Sequence, residues 1–156
     1  MCQLPFVLKP LKQAIILIGI QASGKSTFCQ RYLQSGSHTH ISLDDVGTRN
    51  RELEMLMQCI NDDRSFVVDN TNPEVADRKR YISPAKAHGY EVVGIFFQSK
   101  VRDCIERNEL RDMKVPAKAI ASTSNKLQLP SLEEGFDMLL FAQINEDGFD
   151  IQQWRN

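Results

Sequence analysis

Gly19-Ile20-Gln21-Ala22-Ser23-Gly24-Lys25-Ser26, preceded by the apolar run Ala14-Ile15-Ile16-Leu17-Ile18, is the stretch whose reading decides the fold. It has the spacing G-x-x-x-x-G-K-[ST], set between a run that reads as a buried strand and a helical pattern opening at Ser26. Glycine at both ends lets the backbone curl until successive N–H groups point inward and cradle phosphate oxygens. Lys25 is placed to reach the outer phosphates, and the Ser26 hydroxyl to hold the Mg2+ that bridges them. The helix that follows adds its positive N-terminal end. Gly19, Ala22, Ser23, Gly24, Lys25, Ser26 and Thr27 are therefore the expected nucleotide-binding residues, with ATP and Mg2+ as the expected cofactors.

Working outward, the 156 residues suit a single domain, 1–156, with a core over about 14–145. A hydrophobic fraction of 42% and a charged fraction of 25% are those of an ordinary globular chain. The net charge of −1 offers no global basic field, which argues against a protein that coats nucleic acid but leaves room for a local basic groove. Cys2, Cys29, Cys59 and Cys104 show no metal-ligand spacing, so no structural metal is expected, and the cysteine usage reads as reduced and cytoplasmic. The first apolar run is too short for a membrane span and ends in the phosphate loop, so no membrane association is expected.

Short apolar runs at Ala14–Ile20, His40–Leu43, Ser65–Asp69, Glu91–Phe97 and Leu139–Ile144 read as strands. Helical patterns fall between them at Ser26–Gln34, Asn50–Asn61, Glu74–His88, Val101–Arg111 and Pro116–Leu127. Leu53, Leu56, Met57 and Ile60 form an amphipathic core stripe on the second helix. Asn72 followed by Pro73 reads as a helix cap, and Gly89 as a stop. Strands alternating with helices predict an α/β fold, a P-loop NTPase with a parallel sheet of about five strands covered by helices on both faces. Ligands of such sheets sit at the carboxyl ends of the strands. The tail from Asn145 to Asn156 has no clear pattern, and Trp154 reads as a packing anchor.

The strand ends carry the remaining chemistry. Asp44 and Asp45 follow the second strand, and either orients Mg2+ through water, takes a proton from an attacking hydroxyl, or caps the next helix. Asp69 ends the third strand as a carboxylate near the metal. Arg107 and Arg111, four apart on one predicted helix, share a face from which they would clamp a transferring phosphate, with Lys114, Val115 and Pro116 forming a short lid. The alternative for the arginines is a solvated charged face. His38 and His40 read as a polar connector and His88 as a helix end.

A GTPase is a poor match: Asn125-Lys126-Leu127-Gln128 lacks the aspartate of the guanine-reading pattern. Gly19–Ser26, Ile41-Ser42-Leu43-Asp44-Asp45, Asp69-Asn70-Thr71-Asn72-Pro73 with Arg78 and Tyr81, Arg107-Asn108 with Arg111, and Pro130–Phe136 together resemble the kinase domain of polynucleotide 5′-hydroxyl kinases. The resemblance covers about residues 14–136 and implies a nucleoside-monophosphate-kinase-like architecture with a short lid. It implies ATP-dependent transfer of the γ-phosphoryl to the 5′-OH end of DNA or RNA. On it, Lys25 and Ser26 bind phosphates and Mg2+, Asp44 is the general base, and Arg107 and Arg111 grip the donor, Arg111 at the transferring phosphate. Arg49, Asn70, Thr71, Asn72 and Arg78 fall on the substrate side. One position departs from the pattern: an arginine three residues after the base is here Gly47, for which Arg49 or Arg51 is the candidate replacement. A small-molecule kinase and a non-catalytic nucleotide-binding module are the other readings the residues allow.

Overall fold

The computed structural model describes residues 4, 6–8, 12–33 and 37–154, and its centre is strand β1 (Gln13–Ile18), every residue of which is buried. Side chains alternate across a strand, so Ala14, Ile16 and Ile18 enter one apolar core while Ile15 and Leu17 enter the other. A strand apolar on both faces needs helices on both faces. The chain supplies them through α1 (Lys25–Tyr32), β2 (Thr39–Ile41), α2 (Leu43–Val46), α3 (Arg49–Asn61), β3 (Phe66–Val68), α4 (Val75–Ala87) and β4 (Glu91–Phe97). Then follow α5 (Val101–Glu109), α6 (Ala117–Lys126), β5 (Met138–Asn145) and β6 (Gly148–Gln153). The sheet order is β2-β3-β1-β4-β5-β6, with the first five strands parallel. Leu56 and Ile60 of α3 and Tyr81 and Ile82 of α4 close one face, while Phe28 of α1 and Phe149 of β6 close the other.

The α/β P-loop fold agrees with expectation, with three local differences. The weakly patterned tail forms β6, a sixth strand antiparallel to β5. Gly148 starts it at φ 141°, and Trp154 beyond it packs on Phe96 and Phe141 as the expected anchor. Second, Asn72 does not cap α4: Glu74 does, its N–H donating to the Asp77 carboxylate. Asn72 takes a left-handed φ of 46° and donates from Nδ2 to the Leu17 carbonyl at 2.8 Å, pinning the end of β1. Third, Leu53 of the predicted core stripe is exposed on the rim of a small cavity, while Leu56 and Ile60 are buried. Cys29, Cys59 and Cys104 are buried free thiols, and Cys2 lies outside the described residues. Among the described residues, no helix is long and apolar enough to cross a membrane.

Candidate active site

The phosphate loop leaves β1 at its carboxyl end and is tied down on three sides. The Gly19 N–H donates to the Thr71 carbonyl at 3.0 Å, the Ile20 N–H to the Ser99 hydroxyl at 3.1 Å, and Arg107 Nε to the Ala22 carbonyl at 2.8 Å. Ala22 (φ 63°) and Gly24 (φ 106°) are both left-handed, which curves successive N–H groups into a concave nest. A Cβ at Gly24 would meet Ile144 and Phe149 at 3.0 Å, so the β5–β6 hairpin lies directly against the loop, and the left-handed φ there favours glycine.

Lys25 lies folded over this loop, donating to the Gly19 and Ile20 carbonyls at 2.8 and 2.9 Å. Burial pushes its pKa down to about 8, although the Asp69 charge pulls the other way. Beside it the Ser26 hydroxyl donates to Asp69 Oδ2 at 2.9 Å. Burial alone would raise the Asp69 pKa, but the hydrogen bond from His40, the Lys25 charge and the Ser26 hydroxyl outweigh it and hold the carboxyl below its usual range. Hence a buried carboxylate and a hydroxyl converge at the loop, the hard oxygen pair that suits Mg2+.

Asp44 and Asp45 diverge. Asp44 lines a cleft of about 270 Å3 together with Lys25, Ser26, Asp69, Arg107 and Arg111. Asp45 turns aside to His40, Oδ2 to Nδ1 at 3.2 Å. His40 is therefore no mere connector. Its Nε2 bonds Asp69 at 2.9 Å, and that bond outweighs burial and raises the imidazole pKa. The signal was the strand: His40 lies in β2 beside β3, and with Ser42, which caps α2, it lines one cavity with Asp69. His38 is buried, bonded to Gln13 Oε1 at 2.8 Å.

Helix α5 ends at Glu109, two residues short of Arg111, so the two arginines do not share a helical face as expected. Both nevertheless line the cleft, because the chain turns at the end of α5, where the Arg111 N–H donates to the carbonyl of Asn108 at 3.1 Å, and Asn108 then ties down the loop beyond. Its Nδ2 donates to the Val115 carbonyl at 2.6 Å and its Oδ1 accepts from the Val115 N–H at 3.1 Å, closing the base of the lid loop. No local sequence pattern marks Asn108 for this role.

Of the expected substrate-side residues, the structure brings Asn70 and Thr71 to the cleft and turns three others away. Arg78 is fully buried, paired with Glu134 at 2.7 and 3.0 Å and donating to the Asn72 and Pro73 carbonyls. Asn72 is buried at the end of β1. Arg49 faces a separate cavity and bonds Glu52 and Tyr81 at 2.9 and 3.1 Å. Even Asn70 is committed at both ends: Oδ1 accepts from the Leu43 N–H at 2.8 Å, and Nδ2 donates to Glu52 and Tyr81 at 2.7 and 3.1 Å. It moors α2, and so Asp44, to the buried Glu52. Gly47 closes α2 at φ 88°, a conformation an arginine at that position would find strained.

Fold and loop together define a P-loop kinase-type nucleotide-binding domain. The chain belongs to the family described as AAA domain, whose model matches residues 48–130, more than half of its length, in the part that follows the phosphate loop. It is 26% identical over 130 residues to the bifunctional polynucleotide phosphatase/kinase of Schizosaccharomyces pombe, covering 80% of this chain and 32% of that protein. It is 30% identical over 154 residues to a putative bifunctional polynucleotide phosphatase/kinase of Acanthamoeba polyphaga mimivirus, covering 92% of this chain and 37% of that one. These relatives bear out the resemblance read from the residues, and the chain spans about a third of their length. Among solved structures, Chaetomium thermophilum Kti12 in complex with ADP-AlF3 shares the fold at a TM-score of 0.67 and 13% identity, over 86% of this chain and 92% of that one.

Proposed function

We propose that the chain acts as one kinase domain, transferring the γ-phosphoryl of ATP to the 5′-hydroxyl end of a polynucleotide. The observation that carries the reading is the single cleft in which Asp44 faces Lys25, Arg107 and Arg111 across the phosphate loop. A pure binder needs neither a carboxylate on the acceptor side nor arginines in the lid. Lys25 exchanges its loop carbonyls for the outer phosphates of the donor. Arg107 is held by Ala22 beside the donor, and Arg111 neutralises charge on the phosphoryl in flight. Asp44 takes the proton of the attacking hydroxyl as the new O–P bond forms and the bond to the leaving diphosphate breaks. Ser26 and Asp69 would hold Mg2+, which neutralises phosphate charge when bound.

The polynucleotide acceptor is supported by the printed names of the two curated relatives. A small-molecule acceptor is favoured by Gly47, which puts no arginine three residues after the base, and by the net charge of −1. The decisive assay offers γ-labelled ATP and Mg2+ with 5′-OH DNA, 5′-OH RNA, nucleosides and sugars in parallel. Label is expected on oligonucleotide ends. It should vanish in Lys25→Met and fall by about 10²–10⁴ in Asp44→Asn with ATP binding retained. Label on nucleosides or sugars alone would transfer the reading to the small-molecule acceptor, and unchanged turnover in Asp44→Asn would remove the base.

A further inference from the structure

Beside the phosphate cleft lies a second cavity of about 390 Å3, whose wall carries Cys29, His40, Asp45 and Asp69. The Cys29 sulfur, a His40 ring nitrogen and an Asp69 carboxylate oxygen all lie within 4.8 Å of one another. They come from three elements: Cys29 sits nearly one turn along α1 from Ser26, His40 stands in β2, and Asp69 follows β3. We propose that these three side chains bind a soft divalent transition ion, Zn2+ above all, in a site that competes with the nucleotide for Asp69.

The donor set discriminates between metals. Thiolate with imidazole and carboxylate suits Zn2+ or Co2+, whereas Mg2+ prefers an all-oxygen shell. Bonds of about 2.0–2.3 Å to a tetrahedral ion place ligand atoms roughly 3–4 Å apart, so these three need only a small rotamer adjustment. The cavity leaves the fourth position to water. Asp45 completes the arrangement from outside. Its Oδ2 lies 3.2 Å from His40 Nδ1 while Nε2 faces Asp69, the relation in which a carboxylate orients a metal-binding histidine. Burial keeps the Cys29 thiol protonated and unreactive on its own. An ion on the sulfur displaces that proton, and the one shared between His40 and Asp69, into solvent.

Competition follows from Asp69 Oδ2, which accepts from Ser26 and His40 at once. An ion drawn toward Cys29 takes that oxygen from the phosphate side. This consequence rests on Asp69 serving the nucleotide, whereas metal binding itself does not.

The test is a titration of the full chain with Co2+ in the absence of nucleotide. The expected result is a thiolate-to-cobalt charge-transfer band in the near ultraviolet and strong visible bands of tetrahedral Co2+. Zn2+ should displace them stoichiometrically, and an equal concentration of Mg2+ should not. Cys29→Ser should lose the charge-transfer band while Cys104→Ser keeps it, and His40→Asn should weaken Zn2+ at least tenfold with the circular dichroism spectrum unchanged. Zn2+ should weaken MgATP binding in the wild type and not in Cys29→Ser. No thiolate band in the wild type, or a band that survives Cys29→Ser, overturns the site even if ATP binds normally. A protein that binds cobalt through Cys29 but no ATP would keep the site and sink the kinase reading instead.

Discussion

Lys25 holds the most pH-sensitive charge of the phosphate loop, because burial lowers its pKa from 10.5 to about 8 while the nucleotide's charge would restore it. Below pH 8 the ammonium is already present and binding takes up no proton. Above it the free protein is neutral at Lys25, so binding must be accompanied by protonation, and affinity for ATP should weaken by up to tenfold per pH unit. Isothermal titration across pH 7–10 checks this, and Lys25→Arg should flatten the profile, since arginine stays charged throughout. Arg78 lies outside the cleft. Its guanidinium is wholly buried against Glu134 and two carbonyls, so Arg78→Ala should cost about 3–5 kcal/mol of stability by leaving Glu134 unpaired. Denaturant unfolding measures it. A variant of native stability with a raised KM for the acceptor would restore Arg78 to the substrate side.

Two short elements position the proposed base and the lid arginines. Helix α2 has only four residues and no buried side chain of its own, so its placement depends on the bond from Leu43 N–H to Asn70 and on the Glu52–Tyr81 pair behind it. Asn70→Ala should therefore lower turnover by roughly tenfold to a hundredfold, the cost of misplacing Asp44, while the Kd for ATP stays within about twofold. Loss of both together would show that Asn70 serves the donor. The lid loop between α5 and α6 is closed by the two bonds of Asn108 to Val115, with Leu110 and Met113 exposed at its tip. In Asn108→Ala the nucleotide KM should rise and amide exchange over 108–116 should quicken, with a global stability loss of about 1–2 kcal/mol. Exchange that stays slow would mean the loop is held by other contacts.

At the scale of the molecule, the β5–β6 hairpin joins the core to the site. Phe149 stacks edge-on against Phe28 and Phe97 and bears on Gly24 at the same time. Phe149→Ala should cost about 3–5 kcal/mol and also weaken nucleotide binding, because the loop loses its backing. A stability loss with unchanged affinity would uncouple the two. The hairpin is also where the sequence was least informative, since Gly148–Gln153 alternates weakly and becomes a strand only because β5 offers it an edge. By contrast, the loop Gly19–Ser26, the apolar strands β1 and β4 and the Asp-ended β3 were legible along the chain. Their spacing and periodicity are covalent properties that local backbone geometry turns directly into structure. Local pattern could not separate Asp44 from Asp45, assign Arg78 to a buried ion pair or draw His40 to Asp69. Those outcomes join residues 5 to 56 positions apart: the register of β2 on β3 brings His40 to Asp69, while the packing of helix α4 against the turn before β5 brings Arg78 to Glu134. The amino-acid sequence by itself determined that a phosphate-loop pattern closes β1, and the tertiary structure decided which charged side chains face that loop and which were spent holding the fold together.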